Sequence, residues 1–325
     1  MGKKVLKIVK WLIFGLFMLL IAGSVWNAIC RNLEKDDVKD AYGKAVTVSG
    51  KRMVVDISGK KDAPVIVLLP GYGSPSPVLE FKPLADRLSK NFLVVTMEPF
   101  GYGLSNGTKE ERTVKAISEE LHECVQKLGV QEYYLMGHSL SGVYALYWAN
   151  QYPEEIKGYI GLDPSVPKMT DENPYPISMI ALNKLSTYIG KVINFVGLTR
   201  LLTAGDAKKA IYADLTYPYT REELETFRIL TLDYAQNSTV LRELAQMGRN
   251  LETVRDMKFP AQIPALEFLS GDNCDTMPGW EQLHKDVIAD EGKAEIRILD
   301  GGHYVHLDHS KEIAEKVREW VLQNR

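Results

Sequence analysis

The stretch "GHSLSG", residues 137–142, follows an apolar run and sets a serine among small residues. A strand that turns sharply into a helix at a nucleophile holds that residue in a strained backbone conformation, where bulky flanks would clash. Gly137 and Ser141 fit at minus two and plus two, and Gly142 follows. Such a turn presents the hydroxyl of Ser139 and leaves the amide of Leu140 at the start of a helix, where a developing oxyanion is favoured. The chemistry this suggests is acyl transfer through a serine; the competing reading is a serine that only caps a helix.

A serine hydroxyl needs a base. "DGGHYVHLDH", residues 300–309, offers His303 between the last strand-like run and the last helix, after two glycines that let the backbone bring the ring toward the top of a sheet. His306 lacks that glycine support, His309 falls near the start of the final helix, His122 lies within a helix, and His138 reads as structural support beside the nucleophile. An oxyanion also needs a second N–H donor. "LLPGYGS", residues 68–74, supplies a tight turn after a buried strand, with the amide of Tyr72 as the expected donor.

The surrounding elements must hold these groups together. "PVIVLLP" (64–70), "FLVVTME" (92–98), "EYYLMG" (132–137), "GYIGLD" (158–163), "PALEFLS" (264–270) and "EIRILD" (295–300) are apolar runs separated by segments of helical period. That alternation predicts a mostly parallel sheet covered on both faces. "KAVTVSGKRMVVDIS" reads as a hairpin turning near Ser49-Gly50, and helices are expected near 78–89 and over 113–128, the latter stopped by Gly129. Between Asp163 and Pro264 about a hundred residues lack any strand-like run, and two long stretches there recur at helical spacing. They predict a helical insertion over the strand ends. Its Ile177, Met179, Ile180, Leu185, Tyr188, Ile193, Phe195 and Leu198 are expected either to wall an apolar substrate pocket or to pack the insertion onto the sheet.

Taken in order, "LPGYGS", "EPFGYGLS", "GHSLSG" and "GGHYVH" resemble the oxyanion loop, glycine-rich turn, nucleophile elbow and histidine loop of the α/β-hydrolase fold family, over roughly residues 44–323 apart from the insertion. The nucleophile-before-histidine order matches as well. Pro70 stands where many members have His, and Glu98 where many have Asp. The resemblance implies a mostly parallel central sheet flanked by helices, a helical cap, and a serine, histidine and acid triad. Most members carry the acid after the penultimate strand, where "SGDNCD" offers Asp272 and Asp275 around Cys274. "GYIGLDPSVP" instead places Asp163 directly after the strand that follows the nucleophile helix, similar to the pancreatic-lipase group. Asp163, Asp275 and Asp272 all stand as candidates for the group that orients the imidazole.

Lys3, Lys4, Lys7 and Lys10 precede a nearly uncharged run, Trp11 to Cys30. A helix of ~20 apolar residues crosses a bilayer, and lysines before it favour a cytoplasmic N-terminus. Ala22-Gly23-Ser24 is a weak small-residue cleavage site, so an uncleaved single-pass anchor and a secreted product both stay open. Either reading puts the remainder outside the cytoplasm. Cys124 and Cys274 could pair there.

Residues 1–31 hold five Lys or Arg and no acid, which leaves 34 bases against 42 acids in the rest. That balance disfavours nucleic acid or an anionic surface as a partner of the exported part. The expected organisation is an anchor or signal segment (1–31), a linker (32–43), a hydrolase core (44–166 and 260–325) and a cap (167–259). The expected activity is cleavage of a small-molecule carboxylic ester, lipid-like or short, with no metal or organic cofactor. Amide cleavage, acyl transfer, or a catalytically silent exported binding module are the alternatives.

Overall fold

Eight strands form one sheet: β1 (Lys44–Val48), β2 (Lys51–Gly59), β3 (Val65–Leu69), β4 (Leu93–Glu98), β5 (Tyr133–His138), β6 (Ile156–Leu162), β7 (Ala265–Ser270) and β8 (Ala294–Leu299). Their order is β1-β2-β4-β3-β5-β6-β7-β8. The β1–β2 hairpin pairs antiparallel to β4, and every pair from β4 to β8 is parallel. The computed structural model describes residues 2–171, 177–233 and 237–324; the side chains of residues 177–180, 183 and 184 lie outside that description.

The continuous apolar runs are explained by burial on both faces. In β3, Val67 and Leu69 belong to one core and Ile66 and Leu68 to the other, as a period of two requires. The first core is closed by the helices Val114–Lys127 and Ser141–Gln151, which bury Ile117, Leu121, Val143, Leu146 and Trp148. The second is closed by Lys82–Leu88 and Ser310–Gln323, through Leu84, Leu88, Ile313, Val317 and Trp320. Thr113 caps the first helix by accepting from the Ala116 amide. The helix expected near 78–89 is two short ones, Pro77–Glu80 and Lys82–Leu88, meeting at the fully buried Phe81.

The insertion between β6 and β7 is helical: Ile177–Phe195, Leu198–Leu202, Arg221–Asp233 and Ser238–Thr253. Asn237 starts the last of these by accepting from the Thr239 and Val240 amides. The insertion is rooted in the core through Leu251 and Val254, and through Ile229 and Leu230 against Val54 and Leu104.

The N-terminal helix runs Gly2–Val38, well into the segment read as a linker. It is long and apolar enough to cross a membrane. Its C-terminal turns are polar for a structural reason: Arg200 donates to Asn27 Oδ1 at 2.9 Å and to Glu34 at 2.5 Å, Arg228 reaches Glu34 at 3.0 Å, and Arg31 pairs with Asp233 at 3.1 Å. Val38 is buried with Val54 and Ile229. Cys30, Cys124 and Cys274 are all free, so the pairing considered for Cys124 and Cys274 is not formed. Burial pushes the Cys124 thiol up to about 12.

Candidate active site

Parallel pairing sets the loops after β3, β5 and β6 side by side. Leu69 lies opposite Gly137, and His138 opposite Leu162. Ser139 and Asp163 are therefore the first residues beyond two adjacent strands. Both occupy the left-handed backbone region, with φ of 52° and 42°. That conformation is strained for residues with a Cβ and is held here by neighbours. The Ser139 amide donates to the Leu162 carbonyl at 3.3 Å, its carbonyl accepts from Ser165 at 2.7 Å, and the Asp163 amide donates to Phe268 at 2.7 Å. Gly142 is required by this arrangement, because a Cβ there would stand 2.6 Å from the Cβ of Pro164.

His303 reaches this point from beyond β8. Gly301, at φ +94°, turns the chain, and its carbonyl accepts from the Ser270 hydroxyl at 2.8 Å and the Asp272 amide at 3.1 Å. The His303 carbonyl accepts from His138 Nε2 at 3.1 Å. The ring then lies with Nε2 2.8 Å from Ser139 Oγ and Nδ1 2.6 Å from Asp163 Oδ2.

Asp163 is fully buried. Burial alone would raise its pKa; the bond and charge of His303, the Ser270 amide and the charge of His284 outweigh it and hold the carboxyl below its ordinary value. Its oxygens also accept from Ser270 N at 3.0 Å, Asn273 Nδ2 at 2.5 Å and Trp280 Nε1 at 3.2 Å. Asp272 and Asp275 are exposed and make no bond to His303. The segment "SGDNCD" thus supplies donors to the acid.

Tyr72 and Leu140 face the same cavity as Ser139. Among the described residues neither of their amides has a protein acceptor. Ser141 at plus two, where glycine is usual, donates to the Pro70 carbonyl at 2.5 Å. Behind the turn, the Gly73 amide donates to Tyr102 Oη at 3.2 Å; the Tyr102 and Tyr144 hydroxyls in turn donate to the buried Glu243 at 2.9 and 2.7 Å. Glu98 holds the next turn by accepting from Leu104 N at 2.6 Å and Tyr42 Oη at 2.8 Å.

The other histidines stand apart from the Ser139 hydroxyl. Burial first, then the charges of His306 and His303, keep His138 well below its ordinary pKa. His306 contacts Glu80 at 3.3 Å, His309 accepts no part in the site and reaches the Asp300 carbonyl, and His122 pairs with Glu155. Glu80, His138 and His306 bring ligand-type atoms within 4.8 Å of one another and are the residues that could hold a metal.

The cavity over Ser139 measures about 460 Å³, with Met169, Leu244, Met247, Met277 and Trp280 in its wall. From the helix Ile177–Phe195 it receives Ser186 and Thr187. Leu185, Tyr188, Ile193, Phe195 and Leu198 are exposed, neither in the cavity wall nor buried against the sheet, so the apolar wall is built by other residues. The side chains of Ile177, Met179 and Ile180 lie outside the described residues. Sequence reasoning also missed Asn273 and Trp280, the latter 117 positions from Asp163 with no local signal.

Residues 64–204 match a family described as the alpha/beta hydrolase fold. The chain is 26% identical to the uncharacterized protein YbdG of Bacillus subtilis over 99% of its own length and 98% of that protein's. It is 24% identical to the sn-1-specific diacylglycerol lipase ABHD11 of Xenopus tropicalis over 82% of each. The haloalkane dehalogenase DbeA of Bradyrhizobium elkani superposes with a TM-score of 0.61 at 16% identity, covering 86% of this chain and 97% of that one.

Proposed function

We propose, on the premise that this chain has the α/β-hydrolase fold, that it is a membrane-anchored serine hydrolase cleaving carboxylic esters through an acyl-enzyme on Ser139. The observation that carries the reading is the continuous hydrogen-bonded path Ser139–His303–Asp163, at 2.8 and 2.6 Å. His303 Nε2 takes the hydroxyl proton as Oγ attacks the carbonyl carbon, and returns it to the leaving alcohol. Water then enters, gives a proton to the same nitrogen and attacks the acyl carbon; the nitrogen returns that proton to Oγ as the carboxylic acid leaves. Asp163 keeps the proton of the neutral ring on Nδ1 and stabilises the cation that forms. The amides of Tyr72 and Leu140 are assigned to the oxyanion.

The nucleophile argues against halide displacement, the activity named for one structural neighbour. Attack by Ser139 on an alkyl carbon would leave an ether, which water does not cleave under these conditions, whereas an ester is released by the same base. The apolar wall of the cavity suits an acyl chain, and the diacylglycerol lipase relative acts on esters of that kind. The N-terminal helix is assigned as a single span with the catalytic domain outside the cytoplasm, from its basic flank. Turnover of p-nitrophenyl esters of increasing chain length against peptidyl anilides tests the substrate class: ester turnover with little anilide cleavage is expected, and preference for the anilides overturns it.

A further inference from the structure

The helix Ile177–Phe195 carries its polarity opposite to that of a helix covering a soluble core. Ser186 and Thr187 face the cavity. Leu182, Leu185, Ile189 and Val192, three or four residues apart and so on one face, are exposed, Leu185 at 57% and Val192 at 62%. Phe195, 65% exposed, and the helix Leu198–Leu202 carry that surface on. Residues 177–202 contain no Asp or Glu. Soluble monomers rarely leave so continuous an apolar face in water.

The neighbouring helix indicates what covers it. Gly23 lies so close to residue 196 that a Cβ would stand 2.5 Å from the Val196 carbonyl oxygen. Asn27, 3% exposed, donates to the carbonyls of Asn194 and Phe195 at 2.8 and 3.3 Å. Both residues belong to the apolar run Trp11–Cys30. Gly23 precedes the end of that run by seven residues, about 10 Å along a helix. A run that fills ~30 Å of hydrocarbon therefore holds the end of the cap helix below the hydrocarbon edge, near the ~5–10 Å depth of an interfacial helix.

We propose that the surface formed by Leu182, Leu185, Ile189, Val192 and Phe195 with the helix Leu198–Leu202 is inserted in the membrane leaflet on the side of the catalytic domain, and that its occupant is phospholipid acyl chains. The proposal rests on the N-terminal helix being a span and is independent of the ester chemistry. The cavity over Ser139 is then roofed by a helix whose outer face lies in lipid.

The test uses the full chain in phosphatidylcholine vesicles containing a small fraction of phosphatidylcholine with a diazirine near the acyl terminus. After irradiation, adducts are mapped by mass spectrometry. Adducts on residues 182–202 as well as 11–30, with none on residues 60–64 between β2 and β3, are expected. A Leu185→Gln, Val192→Gln chain keeps the adducts on 11–30 and loses those on 182–202 several-fold. Adducts confined to 11–30 in the unsubstituted chain overturn the proposal, as does disulfide-linked dimer formed on oxidation of a Leu185→Cys chain and not of the unsubstituted one, which would make a second copy the occupant. No adduct on 11–30 overturns its premise, a failure that leaves ester turnover untouched.

Discussion

Ser141 donates a 2.5 Å hydrogen bond to the carbonyl of Pro70, and so ties the turn that carries the Leu140 amide to the turn that carries the Tyr72 amide. The hydroxyl at plus two replaces the usual glycine with a tether between the two proposed oxyanion donors.

Ser141→Ala removes that tether and leaves a buried carbonyl unpaired. A loss of about 1 kcal/mol of stability is expected. Because the displaced donor acts on the oxyanion, kcat should fall by about tenfold while KM stays near its original value. Steady-state kinetics beside thermal unfolding checks this. A change in KM alone would mean the tether shapes the pocket instead.

The acid can be separated from its neighbours by substitution. Asp163→Asn should lower kcat by about 10⁴-fold, since the amide stabilises the wrong imidazole tautomer. Asp272→Asn and Asp275→Asn should leave kcat unchanged, because both carboxylates are exposed and neither is bonded to His303. Equal losses in all three would count against the assignment.

Glu98 predicts a pH dependence of stability. Burial pushes its pKa up to about 8, against the Leu104 amide, the Tyr42 hydroxyl and the Val78 amide. Between its ordinary value of 4.5 and about 8 the folded chain holds a proton that the unfolded chain has released. Stability from this group is therefore full below the ordinary value and lost as pH rises through the folded one. Melting temperatures across pH 5 to 9 should decline more steeply for the unsubstituted protein than for Glu98→Gln. Parallel curves would contradict the shift.

Arg200 joins the cap to the N-terminal helix from a position 4% exposed, bonded to Asn27 and Glu34. Arg200→Met takes one cation away from the largely buried Glu34 and Asp233 and should cost about 3 kcal/mol. Thermal unfolding of the full chain in detergent measures it; an unchanged midpoint would mean that the clasp adds nothing.

The sheet was legible because strands buried on both faces cannot hide their composition: "VIVLL" and "YYLM" have no other comfortable environment. The meeting of Ser139 and His303 was legible because each lies beside glycines that only a tight turn explains. The environment of Asp163 was not, since the donors around it, Ser270, Asn273 and Trp280, are over a hundred residues away in sequence and assembled only by strand order. The polar end of the first helix read as a linker for the same reason, its partners being Arg200, Arg228 and Asp233. For the cap helix, periodicity reveals an apolar face without revealing what covers it. Its described residues, expected to wall the pocket or to pack on the sheet, are therefore found exposed.

The central claim is that Ser139 is an activated nucleophile, and fluorophosphonate labelling of the full chain followed by mapping of the modified residue tests it most directly. The account predicts a single adduct on Ser139 that is lost in His303→Ala and strongly slowed in Asp163→Asn. An unlabelled Ser139 in folded protein, or labelling indifferent to His303, would contradict it.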